Sequence, residues 1–529
     1  MESSISIDPF VGCDNSPRLL VPPIDKACTG AAFYHNPGAF DPDGDSLSYE
    51  FVVPRKNKNI PVDNYRDPNV KEFYDRIGIN YGTANENNDG TPTFTINAIT
   101  GTIIWDSPGA PGEYNIAFVI KEWRKVAGVW INQGYVVRDM QIIVEDCKNR
   151  RPELQVPPDV CVEAGTKVTA DIFGTDPDGD SVKIEAFSQI LNQNITPPFP
   201  SPATYDPKKY QPTSGGRVAK VSFTWNTTCA HIKEQAYQVV FKITDSPPRG
   251  SGAKLVQFKT WNIRVVAPAP KWISAVVQGN RTAKLEWSPY PCANAQVMQV
   301  WRRVDHMAYT PANCVTGMPE SLGFTKITEL PINQTTYVDN NGGKKLAIGA
   351  IYCYRLVAAF PTPGGGESYV SDEICLDPIP ATAPIITNVT VDKTSTTAGR
   401  ITVKWRPPYD INTTLFPPPY GYKVYRAEGF SGVIKLLSPH TGTLSDTTYT
   451  DTDMNSQEQV YNYRVVLFGS NSQVIDTSDV ASSVRLEVKP QFQQIQLTWS
   501  AEVPWTNSYT LRPYHVIYRG GPMTWRTSL

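Results

Sequence analysis

The sequence predicts an all-β chain of tandem sandwich domains strung into an elongated rod. An acidic turn occurs twice, as Asp41-Pro-Asp-Gly-Asp-Ser46 and Asp176-Pro-Asp-Gly-Asp-Ser181, each time after a Val-Pro-Pro and a cysteine (Val21 and Cys28; Val156 and Cys161). Repetition over whole domain lengths marks a tandem array rather than a solenoid. Forty-six prolines, 26 tyrosines and many Thr/Val/Ile runs without sustained helical periodicity favour strands and loops. A second motif series repeats after residue 270: Leu285-Glu-Trp287, Val403-Lys-Trp405 and Leu497-Thr-Trp499, then Val300-Trp-Arg302, Val424-Tyr-Arg426 and Ile517-Tyr-Arg519. With 529 residues, four or five domains of roughly 100 residues are expected, each able to bury its own core.

Residues 1–16 read as the end of an upstream domain, because Ile5 to Cys13 precedes Asn15-Ser-Pro17 much as Ile142 to Cys147 precedes Asn149-Arg-Arg-Pro152. The first complete domain is then 17–147. Within it Thr91–Trp105 and Glu113–Glu122 alternate apolar and polar residues, as half-buried strands do. The second domain, 150–267, repeats them as Val218–Trp225 and Tyr237–Asp245. Ala267-Pro-Ala-Pro270 is a proline-stiffened linker. Domains at 271–380 and 384–487 follow, each closing with Thr-Tyr-x-Asp (Thr336–Asp339; Thr448–Asp451) and Tyr-x-Tyr-Arg (Tyr352–Arg355; Tyr461–Arg464). A further copy, 488–529, lacks the last of these motifs, and half a sandwich is expected to need completion beyond this sequence.

The second motif series resembles the fibronectin type III domain, whose buried Trp and Tyr corner map onto Trp287 with Tyr352 and Trp405 with Tyr461. The two preceding domains look Ig-like or cadherin-like. Taken together, Val21-Pro-Pro-Ile-Asp-Lys-Ala-Cys28, His35–Tyr49 and Leu346–Arg355 resemble large cell-surface proteins of gliding and related Bacteroidota that leave the cell by type IX secretion. That resemblance implies an extracellular, non-catalytic structural or adhesive protein: a stalk or subunit of a surface appendage, touching other surface proteins or surface glycans and assembling as a homo-oligomer. The signal peptide and sorting domain of that family do not appear in this sequence. Met1-Glu-Ser-Ser lacks the basic and then apolar stretch of a signal peptide.

The charge balance, 49 basic against 51 acidic residues for a net −2, offers no basic stripe for nucleic acid. No apolar run approaches the roughly 20 residues of a membrane helix. Catalysis finds little support, since His35, His231, His306, His440 and His515 fall in different modules and no G-x-S-x-G, H-E-x-x-H or phosphate loop occurs. The competing expectation is a secreted polysaccharide hydrolase of which only accessory modules are present, with Trp123, Trp130 and Trp505 as candidates to stack on sugars.

Three carboxylates within five residues suit a hard cation. The turn is not an EF-hand, because its glycine falls at position four. A cadherin-like arrangement is the closer analogy, with calcium at the joint between domains, held by Asp41, Asp43, Asp45 and Glu122 in one domain and by Asp176, Asp178, Asp180 and Asp245 in the next. Asn15 and Asn149 are expected to contribute from the incoming linkers. The plain alternative is a tight turn with favourable Asx and Gly chemistry. Nine cysteines without a C-x-x-C pattern favour disulfides over zinc. Shared strand ends predict the pairs Cys161–Cys229, Cys292–Cys314, Cys353–Cys375 and Cys28–Cys147, which leaves Cys13 with a partner outside this sequence.

Overall fold

The computed structural model describes residues 14–500, apart from 58–59, 127–128, 192–197, 249–251, 279–280, 344, 347–349, 378–382, 409–410, 412, 415, 441–442, 471 and 492–493, together with 2–5, 519–520 and 525–526. Cys13, Trp505 and His515 lie outside the described residues. The chain is a tandem series of β-sandwiches, as its alternating sequence demands.

In the first unit a three-stranded sheet, Phe33–His35, Ile103–Trp105 and Phe94–Ile96, faces a five-stranded one. The larger sheet is built on a long hairpin, Gly112–Val126 with Val129–Glu145, flanked by Ser46–Val52 and by Ile24–Cys28 running parallel to the hairpin's second arm. Glu2–Ile5, expected to end an upstream domain, adds a strand to this same sheet against Gly134–Val137. The inward residues, among them Phe33, Trp105, Phe118, Ile120 and Ile142, form one core.

The second unit pairs Glu153–Gln155, Lys167–Thr175, Ala219–Asn226 and Thr204–Asp206 in one sheet, and Val160–Glu163, Val256–Val266, Tyr237–Thr244 and Lys183–Phe187 in the other. Its first strand is split between the sheets, and the second half runs parallel to the last strand. This is the Ig-like arrangement.

The third unit has the three-on-four strand order of fibronectin type III, and the fourth repeats it with the last strand split in two, Val474–Thr477 and Ala481–Ser482 both pairing with Tyr461–Phe468. In the third, Trp272–Gln278, Thr282–Trp287 and Thr336–Asp339 oppose Thr325–Pro331, Val297–Val304, Tyr352–Ala359 and Ile374–Cys375. The repeated motifs acquire a physical meaning here. Arg302 donates to Asp339 at 2.9 Å, and the buried Tyr354 hydroxyl donates to the same carboxylate at 2.9 Å. Arg426, Asp451 and Tyr463 repeat this triad at 3.0 and 2.9 Å. A polar knot inside each sandwich is thereby satisfied. Of the last copy, the described residues form a hairpin, Arg485–Gln491 with Gln494–Ser500, and a short pairing of Arg519–Gly520 with Trp525–Arg526.

The units do not simply stack end to end. The flank of the first lies along the second, where Val21 and Tyr34 pack with Phe187, Val240, Val256 and Phe258. Lys242 reaches Asp25 at 3.5 Å, and Arg151 pairs with Glu86 at 3.1 Å. The second and third units share one continuous apolar core that includes Ala267, Tyr290 and Cys292.

Disulfides seal that joint. Cys28 bonds Cys147 and Cys353 bonds Cys375, each within one unit. The expected pairs Cys161–Cys229 and Cys292–Cys314 are exchanged: Cys161 bonds Cys314 and Cys229 bonds Cys292, at Cα separations of 5.9 and 5.3 Å. Both cysteines of the second unit do sit at its far end, but two loops of the third unit reach across and supply the nearer partners. Asn294 donates to the Cys229 carbonyl and Arg264 to the Cys314 carbonyl, which fixes those loops in place.

Candidate functional site: two acidic poles

In each Asp-Pro-Asp-Gly-Asp turn the first aspartate organises the loop. Asp41 Oδ1 accepts the backbone N–H groups of Asp43, Gly44 and Asp45 at 2.8–3.0 Å, and Asp176 Oδ1 accepts those of Asp178 and Asp180 at 2.9 and 3.0 Å. Gly44 and Gly179 adopt φ of +92° and +78°, a left-handed conformation that favours glycine. The other oxygen of each leading aspartate, Asp41 Oδ2 and Asp176 Oδ2, is buried without a hydrogen-bond partner.

The incoming linker closes each pole. The Asn15 N–H donates to Asp43 at 2.7 Å, and the Arg150 N–H donates to Asp178 at 2.8 Å. Asn15 is therefore the counterpart of Arg150, and Asp14 that of Asn149, one position away from the alignment the cysteines suggest. This shift brings a fifth carboxylate into the first pole. In the second pole Asn149 donates to Asp245 Oδ2 at 2.6 Å, while the Leu255 N–H satisfies Oδ1 at 2.8 Å.

In the first pole Glu122 takes the place of Asp245. It is fully buried, neither of its oxygens has a hydrogen-bond partner, and Asp14 Oδ2 beside it is likewise unpartnered. Burial, then the carboxylates of Asp14, Asp41 and Asp45, hold Glu122 well above the usual carboxylate range. Burial pushes Asp41 up to about 7, against the backbone hydrogen bond from Asp45. In the second pole burial raises Asp245 to about 6, opposed by its bonds from Asn149 and Leu255. Although burial opposes it, Asp178 sits below the usual range because the Arg150 N–H and guanidinium bind it.

Arg124, which the sequence reading did not single out, is the main built-in counter-charge of the first pole. It lies two residues after Glu122 on the same strand, past a bulge at Glu122/Trp123. Its guanidinium clasps Asp45 at 2.6 and 2.9 Å and reaches Asp14 at 3.1 Å. The corresponding residue of the second unit is Pro247, beyond the end of the strand Tyr237–Thr244. An apolar/polar alternation running on through Glu122-Trp-Arg124 was the available signal. One carboxylate oxygen each of Asp14, Asp43 and Asp45 lies within 4.8 Å of the others. Such a set, with Glu122 and Asp41 Oδ2 beside it, offers the all-oxygen surroundings that hard divalent cations take.

No protein-family model matches the chain. No curated protein matches it either. Among solved structures, the FN1–FN3 domains of chicken CNTN1 are similar over 63% of this chain and 97% of that one, at 12% identity and a TM-score of 0.17. The sandwich assignment rests on strand order and register, not on that likeness. Four disulfides are the usage of proteins that fold in an oxidising compartment. Among the described residues no helix is long and apolar enough to cross a membrane.

Proposed function

We propose that this chain is a non-catalytic extracellular protein that bears load, holding an adhesive or assembling part away from a cell surface. The observation that carries this reading is the second–third joint, where one apolar core runs through two sandwiches and two disulfides cross between them. A joint of that kind resists bending and pulling, which a stalk requires and a binding module on a free linker does not. The finer reading is a stalk or appendage subunit in adhesion or gliding of the Bacteroidota kind, exported by type IX secretion. Its partners are then other surface proteins, surface glycans or further copies of itself.

Calcium belongs to the same proposal. At the first pole Asp14, Asp41, Asp43, Asp45 and Glu122 fit a calcium ion, which would give the buried, unpartnered oxygens of Asp14, Asp41 and Glu122 a partner. At the second pole Asp176 and Asp180 would hold it with Asp178 and Asp245, though Asn149, Leu255 and Arg150 already take up much of that carboxylate surface. Electron cryo-tomography of intact cells, with antibody labelling of the chain, tests the surface reading. Ordered surface filaments or rods that disappear on gene deletion are expected. A polysaccharide-hydrolysing activity in the purified full-length gene product would overturn it.

A further inference from the structure

We infer that a divalent cation at the first pole acts as a latch, holding the first unit docked into a corner that the second and third units form. This rests on reading that pole as a cation site and extends it from local charge balance to the arrangement of units.

The outer side of the Asp41–Asp45 turn is an inter-unit contact. A Cβ at Gly44 would stand 3.3 Å from Gly364 Cα of the third unit and 3.7 Å from Lys233 Cδ of the second. The Glu234 N–H donates to the Gly364 carbonyl at 3.0 Å, so the second and third units build the corner together. Backbones of three sandwiches meet where a side chain on the turn would be crowded. Beside this contact lies a cleft of about 310 Å³, lined by Asp41, Asp43, Gly44, Lys233, Tyr237 and Gly364 among others. Lys233 rests over the Tyr237 ring at 4.1 Å and feels the Asp41 charge.

The inner side of the same turn is the carboxylate cluster. Asp41 therefore belongs to both, its Oδ1 shaping the turn and its Oδ2 buried and unpartnered. Glu122, fully buried with both oxygens unpartnered, lies among the same groups. With a cation bound, these oxygens gain a partner and the turn keeps the shape that fits the corner. With the cation removed, Asp41 Oδ2 and both Glu122 oxygens lose that partner, and the turn loses the ligand that holds its shape against Gly364 and Lys233.

The corner itself does not yield, because Cys229–Cys292 closes only four residues before Lys233 and Cys161–Cys314 backs it. The first unit, by contrast, is held to the second by two apolar patches and by ion pairs such as Lys125–Glu234 at 3.1 Å, with no disulfide between the two among the described residues. The change at the pole is therefore taken up by movement of the first unit about the residues that follow Cys147. The latched state is compact, and release lengthens the molecule.

The experiment uses the full chain carrying a donor and an acceptor dye, introduced as unnatural amino acids at the exposed positions Asn87 and Lys209, with calcium chloride or chelator and parallel titration calorimetry. Calcium is expected to shift the docked-to-undocked ratio by about tenfold or more, and Glu122→Gln with Asp41→Asn to abolish that shift while Asp178→Asn retains it. Circular dichroism confirms that each variant folds. Calcium heat with unchanged energy transfer would overturn the latch and leave the cation site standing. Neither heat nor transfer change would overturn both. A response lost in Asp178→Asn but kept in the Glu122/Asp41 variant would assign it to the other pole and overturn the latch.

Discussion

Asp45 of the first unit and Asp180 of the second hold the same place in the same turn, yet Asp45 is clasped by Arg124 while Asp180 faces Asp176 and Asp178. The difference comes from neighbouring strands, not from the turn. In the first unit the strand Gly112–Val126 continues past Glu122 and delivers Arg124. In the second the equivalent strand ends at Thr244 and Pro247 follows, so no side chain is delivered there. The linkers complete the contrast: Asp14 adds an acid beside Glu122, whereas Asn149 adds a donor to Asp245. Identical turn chemistry thus produces one pole with several buried, unpartnered carboxyl oxygens and one that is nearly self-satisfied.

The largest expected effect breaks this contrast directly. Arg124→Ala removes a buried guanidinium, with its side chain about 2% exposed, and should cost the first unit about 3–5 kcal/mol in chelator, since it strands buried carboxylates. Arg150→Ala at the second pole removes a guanidinium that is 66% exposed and should cost under about 1 kcal/mol. Denaturant unfolding of the two variants measures both, and equal losses would dissolve the distinction between the poles. Next comes the joint that the disulfides lock. Cys161→Ser with Cys314→Ser should lower the stability of the second–third block by about 2–4 kcal/mol, read as a lower denaturation midpoint, with the first unit's Cys28–Cys147 loop unaffected in peptide mapping.

A smaller effect sharpens the picture of the second unit. His231 is fully buried, its Nδ1 accepting the Thr228 N–H at 2.9 Å and its Nε2 donating to the Pro200 carbonyl at 2.7 Å. Burial lowers its pKa, against the Pro200 bond. As pH falls through about 6.5 the unfolded chain takes up the proton first, so this contribution is fully present above that pH and is lost below it. Melting curves from pH 7.5 to 5 should show it, and His231→Gln should flatten the slope. The smallest effects concern the turn glycines. Gly179→Ala should cost about 1 kcal/mol for its left-handed φ. Gly44→Ala should cost more, because its Cβ would meet Gly364 Cα at 3.3 Å. Equal melting temperatures for the two would argue against the packed corner.

What the sequence determined by itself is what is set within a strand or a turn. Alternation placed Phe118 and Ile120 in the first core and Trp287 and Trp405 in the later ones, because side chains on a strand point to opposite faces in strict succession. Asp-Pro-Asp-Gly-Asp specified its turn because an Asx carboxylate and a glycine free to adopt positive φ act over a few residues. Cys353 and Cys375 sit opposite one another on paired strands, so strand order sufficed to join them.

Only the tertiary structure decided the exchanged partners of Cys161 and Cys229, the side-by-side seating of the first unit, and the membership of Asp14, Arg124 and Lys233 in the first pole. Those features depend on which loop of one folded unit meets which surface of the next. The entropy of closing a loop grows only logarithmically with its length, so sequence separations of 63 and 153 for the crossing bridges carry almost no penalty that could mark them in advance. Local sterics act between neighbours in the chain and are written in it. Docking between finished surfaces exists only once those surfaces have formed.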